Sequence, residues 1–137
     1  LGNRRMKEPT ERKRIESSRD IADFFLPMLM ELPHEECHVM LLRNNLTLKG
    51  TFLVGRGGIT ESAVDIRLIL EAALRNQSTA IVLCHNHPSG SLTPSTMDKN
   101  LTRQLAEACR IMNIRLLDHV IVSDQGYFSF KDQGLMD

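Results

Sequence analysis

Two histidines with one residue between them, His85 and His87, stand directly behind the apolar run 79–84 (TAIVLC). In an extended segment residues i and i+2 point the same way, so both imidazoles can converge on one ion. Pro88, Ser89 and Gly90 turn the chain sharply, and Asp98 then falls in the first turn of the next expected helix. Two neutral imidazoles and one carboxylate form a borderline-soft donor set that suits Zn²⁺. Three protein ligands leave the fourth tetrahedral position for water, as in catalytic rather than structural zinc sites. Such an ion brings the pKa of that water to roughly 7. Each residue also has an ordinary reading. Ser95 and Asp98 share the S-x-x-D spacing of a capping box, and Asn86, Pro88, Ser89, Gly90 and Pro94 suit a plain loop. Histidines placed directly after an apolar strand are harder to dismiss, because polar groups there are costly without partners.

A hydrolytic metal site also needs a proton carrier. Glu71 lies mid-helix by periodicity, and Glu61 suits the charge preferred ahead of a helix. Glu35 and Glu36 stand just before a buried strand whose end could abut the histidine-bearing strand. An exposed loop carboxylate is the ordinary reading of both, and geometry rather than sequence selects such a group.

The elements that must position these residues read as follows. Ser17 and Asp20 have capping-box spacing, and Ile21, Phe24, Phe25, Met28, Leu29 and Leu32 form a helical stripe that Pro27 should kink or interrupt. Residues 38–42 and 46–54 suggest a hairpin across the turn at Arg43, Asn44 and Asn45. Gly55, Gly57 and Gly58 form a flexible connection that matches no phosphate-binding loop. Ser62 and Asp65 have capping-box spacing ahead of a helix with Ile66, Ile69, Leu70, Ala73 and Leu74 on its buried face, ending near Asn76. The run 79–84 is a strand buried on both faces. Ser95 opens a helix striped by Leu101, Leu105, Ala108 and Met112. Residues 114–122 form a strand with Leu116, Val120 and Val122 on one face, and 127–130 a last edge strand. The order predicts an α/β fold: a single mixed sheet flanked by helices.

Bulk properties narrow the function classes. A chain of 137 residues fits one ordinary domain. No apolar run approaches the length of a membrane span and no signal-like segment opens the chain, so the default compartment is the cytoplasm and no membrane partner is expected. Cys37, Cys84 and Cys109 are widely spaced, with no C-x-x-C, so neither a disulfide framework nor a cysteine zinc site is expected. Cys84 and Cys109 read as small buried hydrophobes. Net charge is zero, which argues against a protein whose main task is gripping phosphates. Residues 1–20 are nonetheless basic, with seven Lys and Arg against four Asp and Glu. A solvated arm explains them better than a nucleic-acid contact does.

The stretch HNHPSGSLTPSTMD fits H-x-H-x7-S-x2-D and resembles the signature of JAMM (MPN-domain) metalloenzymes. With LLDHVIV at 116–122 and YFSFKDQG at 127–134, it looks more narrowly like the bacterial DNA repair protein RadC family, over about residues 18–135. The resemblance implies a mixed sheet between helices, similar to cytidine deaminases, and one zinc ion held by His85, His87 and Asp98. It implies that Ser95 hydrogen-bonds the developing oxyanion and that Glu36, at the head of ECHVMLL, is the general acid/base. It also implies that residues 1–16 are a linker or the remnant of an upstream helix-hairpin-helix region, with the hydrolase domain at 17–137. Val64, Asp65, Ile66 and Arg67 stand where the family commonly shows His-Pro-Arg-Glu, a departure that leaves the metal ligands intact.

Three functions then compete. The first is a JAMM-type hydrolase of amide or isopeptide bonds acting on a protein or peptide. The second, a nucleobase deaminase, needs H-x-E and P-C-x-x-C, and the chain has neither. The third is a metal-containing interaction module in DNA repair, which would meet DNA only through an upstream region or the basic arm. The residues do not set the oligomeric state.

Overall fold

The computed structural model describes residues 6–57 and 64–137. It is an α/β fold whose single mixed sheet has five strands and three flanking helices. In chain order the elements are α1 (Ser18–Leu29), β1 (Glu36–Leu42), β2 (Leu48–Arg56), α2 (Ile66–Arg75), β3 (Ala80–Asn86), α3 (Thr96–Ile111), β4 (Arg115–Ser123) and β5 (Gly126–Ser129). The strand order is β2-β1-β3-β4-β5. Among the described strands only β3 and β4 are parallel neighbours, as expected where a helix, here α3, carries the crossover between them.

Both faces of the sheet are covered, and strand alternation sorts side chains between them. Val39, Leu41, Ile81 and Leu83 pack with Ile69 and Ala73 of α2 and Leu101 and Leu105 of α3. Met40, Leu42, Val82 and Cys84 pack with Ile21, Phe25 and Leu29 of α1. Every residue of β3 is buried, the result anticipated from its unbroken apolar run. The three cysteines are free and buried. Among the described residues no helix is long and apolar enough to cross a membrane.

Several local expectations need correction. Pro27 does not break α1, because it falls in the last turn, where only a few residues remain to be hydrogen-bonded. Ser17 caps that helix through Asp20 N–H, but the Asp20 carboxylate accepts from Glu16 N–H rather than closing the box on Ser17. The first strand begins at Glu36, two residues earlier than the apolar run suggests, and β2 runs on to Arg56. Leu46, expected in β2, adopts φ 68° in the hairpin turn. Asp65, not Ser62, is the N-cap of α2; Ser62, Gly58 and Glu61 lie outside the described residues. On α2 the buried positions are Ile69, Ala72 and Ala73, while Leu74 is exposed. On α3 the stripe drifts from Ala108 and Met112 to Cys109, and Met112 is exposed. Finally, β4 carries an extra residue between Leu116 and Asp118. That bulge flips the alternation, so Leu116 joins the α2/α3 face while Val120 and Val122 face α1.

Within the segment 1–16, expected as a linker or the remnant of an upstream region, residues 6–15 run along the outer edge of β2. Lys7 and Thr51 exchange two backbone hydrogen bonds, Leu48 N–H donates to Lys13 C=O, and Ile15 is buried. This cover pairs an edge that would otherwise present open backbone groups.

Leu83 sits at the centre of β3 with no exposed surface. Leu83→Ala should destabilise the fold by about 2–5 kcal/mol in urea denaturation, through lost transfer energy and a cavity. A change within about 0.5 kcal/mol, the range of surface substitutions, would contradict this placement.

Candidate metal centre

The site forms where β3 runs out of sheet. His85 is still in the ladder, opposite Cys37 of β1 and Ile121 of β4. His87 is beyond the strand and gives its N–H to Val122 C=O. A turn closed by Gly90 N–H to His87 C=O then redirects the chain. Gly90 has φ +90°, a conformation that glycine adopts without steric cost. Asp98 arrives at the third position of α3. Ser95 Oγ accepts from Asp98 N–H at 3.0 Å, and Asp98 Oδ2 accepts from Ser95 N–H at 2.7 Å. The capping box and the ligand reading of Ser95 and Asp98 are therefore not rivals. The box fixes the Asp98 carboxylate in the orientation that meets the histidines.

The three ligand atoms lie within 4.8 Å of one another, and all three residues are buried. The two Nε2 atoms are 3.0 Å apart. Asp98 Oδ1 is 3.3 Å from His85 Nε2, and Oδ2 is 3.4 Å from His87 Nε2.

Hydrogen-bond partners assign the protons on both rings. His87 Nδ1 lies 2.9 Å from Ser91 C=O, which can only accept, so Nδ1 carries the hydrogen. His85 is set by a longer chain. Thr102 Oγ1 donates to Asp98 C=O at 2.9 Å, a local bond of the kind threonine makes within helices. Its hydroxyl must then accept from His119 Nδ1–H, at 2.6 Å. His119 Nε2 is left to accept from His85 Nδ1–H at 2.8 Å. Burial holds His119 well below the usual imidazole range, so it stays neutral and plays both parts. Phe130 stacks on its ring at 4.5 Å and fixes its plane. Both ligand histidines thus point bare Nε2 lone pairs at each other and at a carboxylate. Ser95 N–H reaches Asp98 Oδ2 from the helix side, but with both protons on Nδ1 no described residue donates into the gap between the two Nε2 atoms and the carboxylate. The set therefore calls for a cation, which is the chemistry of a metal site.

Electrostatics agree. Burial alone would raise the Asp98 carboxyl, but the imidazoles of His85 and His87, which donate to it when a proton takes the place of an ion at Nε2, outweigh it together with the Ser95 N–H and hold the group far below the usual carboxylate range. A proton taken up at His87 Nε2 is held by a hydrogen bond to Asp98, which raises His87 above the ordinary 6.5 against the opposing pull of burial. Cys37 lies on the same face of the sheet. Burial, with Asp98 and Glu35 nearby, pushes its thiol up to about 12, so it stays a neutral neighbour rather than a thiolate ligand.

The two adjacent glutamates part company. Glu36 is the first residue of β1 and shares its α1-side face with His38, whose ring lies 5.9 Å from that of Phe25. Its carboxylate oxygens are bonded to His34 Nε2 at 2.9 Å and His38 Nε2 at 3.0 Å. Burial would raise Glu36, yet these bonds and the charge of Arg56 hold it below the usual range. Glu35 sits on the other side: its Oε1 is 3.9 Å from His87 Nε2, and its side chain is 29% exposed, open to water. The structure therefore brings Glu35, not Glu36, to the His85, His87 and Asp98 cluster. Sequence reasoning also passed over His119, Thr102 and Asn86. The signal for His119 was a polar pair, Asp118 and His119, inside an otherwise apolar strand.

Two measurements follow. Thr102→Val leaves His119 Nδ1–H without its acceptor, and zinc affinity measured against a chelating dye should fall roughly 10–100-fold; an unchanged affinity would break the proton assignment. Because protons compete for the raised His87, apparent zinc affinity should decline on acidification from above pH 6.5. An affinity flat from pH 8 to about pH 5 would count against His87 as a ligand.

Comparison with known proteins places this geometry. The family model of the RadC-like JAB domain matches residues 15–135. A UPF0758 protein of Flavobacterium johnsoniae is 40% identical over 136 residues, covering 98% of this chain and 59% of that protein. Another, of Porphyromonas gingivalis, is 40% identical over 130 residues, with 94% and 57% covered. The UPF0758 protein STH371 of Symbiobacterium thermophilum is 37% identical over 136 residues, with 99% and 58% covered. The chain thus spans less than two thirds of the length of these curated relatives. A family match across residues 15–135, joined to a His-His-Asp cluster at the end of β3, means that the chain belongs to the RadC-like JAB domain family.

Proposed function

We propose that this domain is a zinc-dependent hydrolase of the JAMM type, cleaving an amide or isopeptide bond in a protein or peptide. One observation carries the reading: a water-accessible carboxylate, Glu35, stands 3.9 Å from a ligand nitrogen of the His85, His87 and Asp98 cluster. A zinc ion held by those three residues supplies Lewis acidity, which polarises a carbonyl and acidifies a water.

The protein's own groups do the rest. Glu35 accepts the proton released as water attacks the carbonyl carbon, then delivers it to the departing amine as the C–N bond breaks. Ser95 Oγ already accepts from Asp98 N–H, so its hydroxyl proton remains to donate to the oxygen that gains negative charge. His119 and Thr102 hold His85 in the tautomer that frees Nε2. Distance and strand parity support Glu35 over Glu36 for the proton transfer, since both oxygens of Glu36 are engaged on the opposite face.

The test uses zinc-loaded protein and fluorogenic substrates joined by peptide or lysine isopeptide bonds. Glu35→Gln should lower turnover by roughly 10²–10⁴-fold while zinc stays bound. Glu36→Gln should retain turnover. The reverse order would move the proton carrier to Glu36, and no cleavage of either bond type by zinc-loaded wild type would sink the hydrolase reading.

A further inference from the structure

The antiparallel ladder between β1 and β3 ends at the pair Cys37 and His85. Backbone cannot carry it further. His87 N–H is given to Val122 C=O on the other side, and residue 88 is a proline without an N–H. Residues 34–36 are half-buried, and their peptide groups still need partners, because backbone groups removed from water and left unpaired are costly.

Asn86 supplies them with its side chain. Its Oδ1 accepts from Glu36 N–H at 2.7 Å, and its Nδ2 donates to His34 C=O at 3.0 Å. The planar amide stands in for a peptide unit and extends the ladder by one rung. The two groups it holds lie on either side of Glu35: the carbonyl of the peptide before it and the N–H of the peptide after it. A third bond, Gly57 N–H to Glu35 C=O at 2.8 Å, ties the same residue to the end of β2. Gly57 makes that contact at φ +86°. Glu35 lies outside every strand, yet its backbone is fixed on three sides. Asn86 is itself only 1% exposed.

The residue type matters. Aspartate has the reach but no donor for His34 C=O, and serine has a single short hydroxyl. Asparagine combines donor and acceptor in one flat group at this length.

We propose that Asn86, between the two histidine ligands, is a positioning residue that clamps the backbone around Glu35 and thereby aims its carboxylate at the metal cluster. The inference rests on the reading of Glu35 as proton carrier. It gives each residue of the His-Asn-His triplet a task. The histidines face the α2/α3 side as ligands, and the asparagine between them uses the alternate direction to set the carboxylate.

The test compares wild type with Asn86→Ser, reading position separately from activity. Cobalt is bound in place of zinc, and the paramagnetic relaxation of the Glu35 carboxyl carbon reports its distance from the ion. Hydrogen exchange of the Glu36 amide reports the clamp. In Asn86→Ser the Glu36 amide should exchange faster and the Glu35 relaxation should drop, with metal affinity kept. Turnover should fall with KM little changed, and adding Asn86→Ser to Glu35→Gln should cause no further loss. Asn86→Asp, which keeps the acceptor for Glu36 N–H, should show the same displacement and serves if the serine variant does not fold. Unchanged Glu35 relaxation would overturn the proposal. So would a loss of metal affinity in step with it, since that marks collapse of the whole strand end. If wild type cleaves nothing, the hydrolase reading fails while the relaxation measurement still decides the clamp.

Discussion

Four acceptor atoms meet at the end of β3 with no donor between them. His85 Nε2, His87 Nε2 and the two Asp98 oxygens lie 3.0–3.4 Å apart across the cluster. Lone pairs gathered this closely in a buried place repel unless a cation joins them. The rest of the structure can be understood as the means of enforcing that arrangement. Ser91 C=O fixes the proton on His87. The Asp98 carbonyl, through Thr102 and His119, fixes the proton on His85. Asp98 thus acts twice, once with its carboxylate and once with its backbone.

This arrangement depends on strand parity. With helices on both faces, every residue of β1, β3 and β4 is committed to one side. His85 shares a side with Leu83 and Cys37, and the bulge in β4 puts His119 on that same side, where it can reach His85. Without the extra residue between Leu116 and Asp118, the alternation set by Leu116 would carry His119 to the α1 face. The bulge is a one-residue change in register that makes the second layer of the site possible.

Much of this was legible in the chain itself. The unbroken apolar run before His85 announced a buried strand, and the i, i+2 histidines announced convergence. Asp98 was visible through its spacing, though a capping box explained it equally well; the carboxylate that closes the box also faces the two histidines. What sequence could not supply was parity at a strand end. Glu35 and Glu36 are identical in type and adjacent, so one-residue alternation alone decides which faces the cluster. The apolar run suggested a strand from His38, while the ladder begins at Glu36, because Asn86 and β2 provide partners that no local pattern reveals. The β4 bulge was hidden for the same reason. It arises from pairing with β3, and Leu116, Val120 and Val122 keep perfect period-two spacing in the sequence.

The central claim is that two imidazole nitrogens and one carboxylate oxygen, with no sulfur, hold the ion. Zinc-edge X-ray absorption on the metal-loaded protein tests it most directly. The account predicts a first shell of light atoms only, at about 2.0–2.2 Å, with the multiple scattering of two imidazoles. A sulfur scatterer at about 2.3 Å would bring Cys37 or another thiol into the shell and contradict the assignment, as would a shell with fewer than two imidazoles.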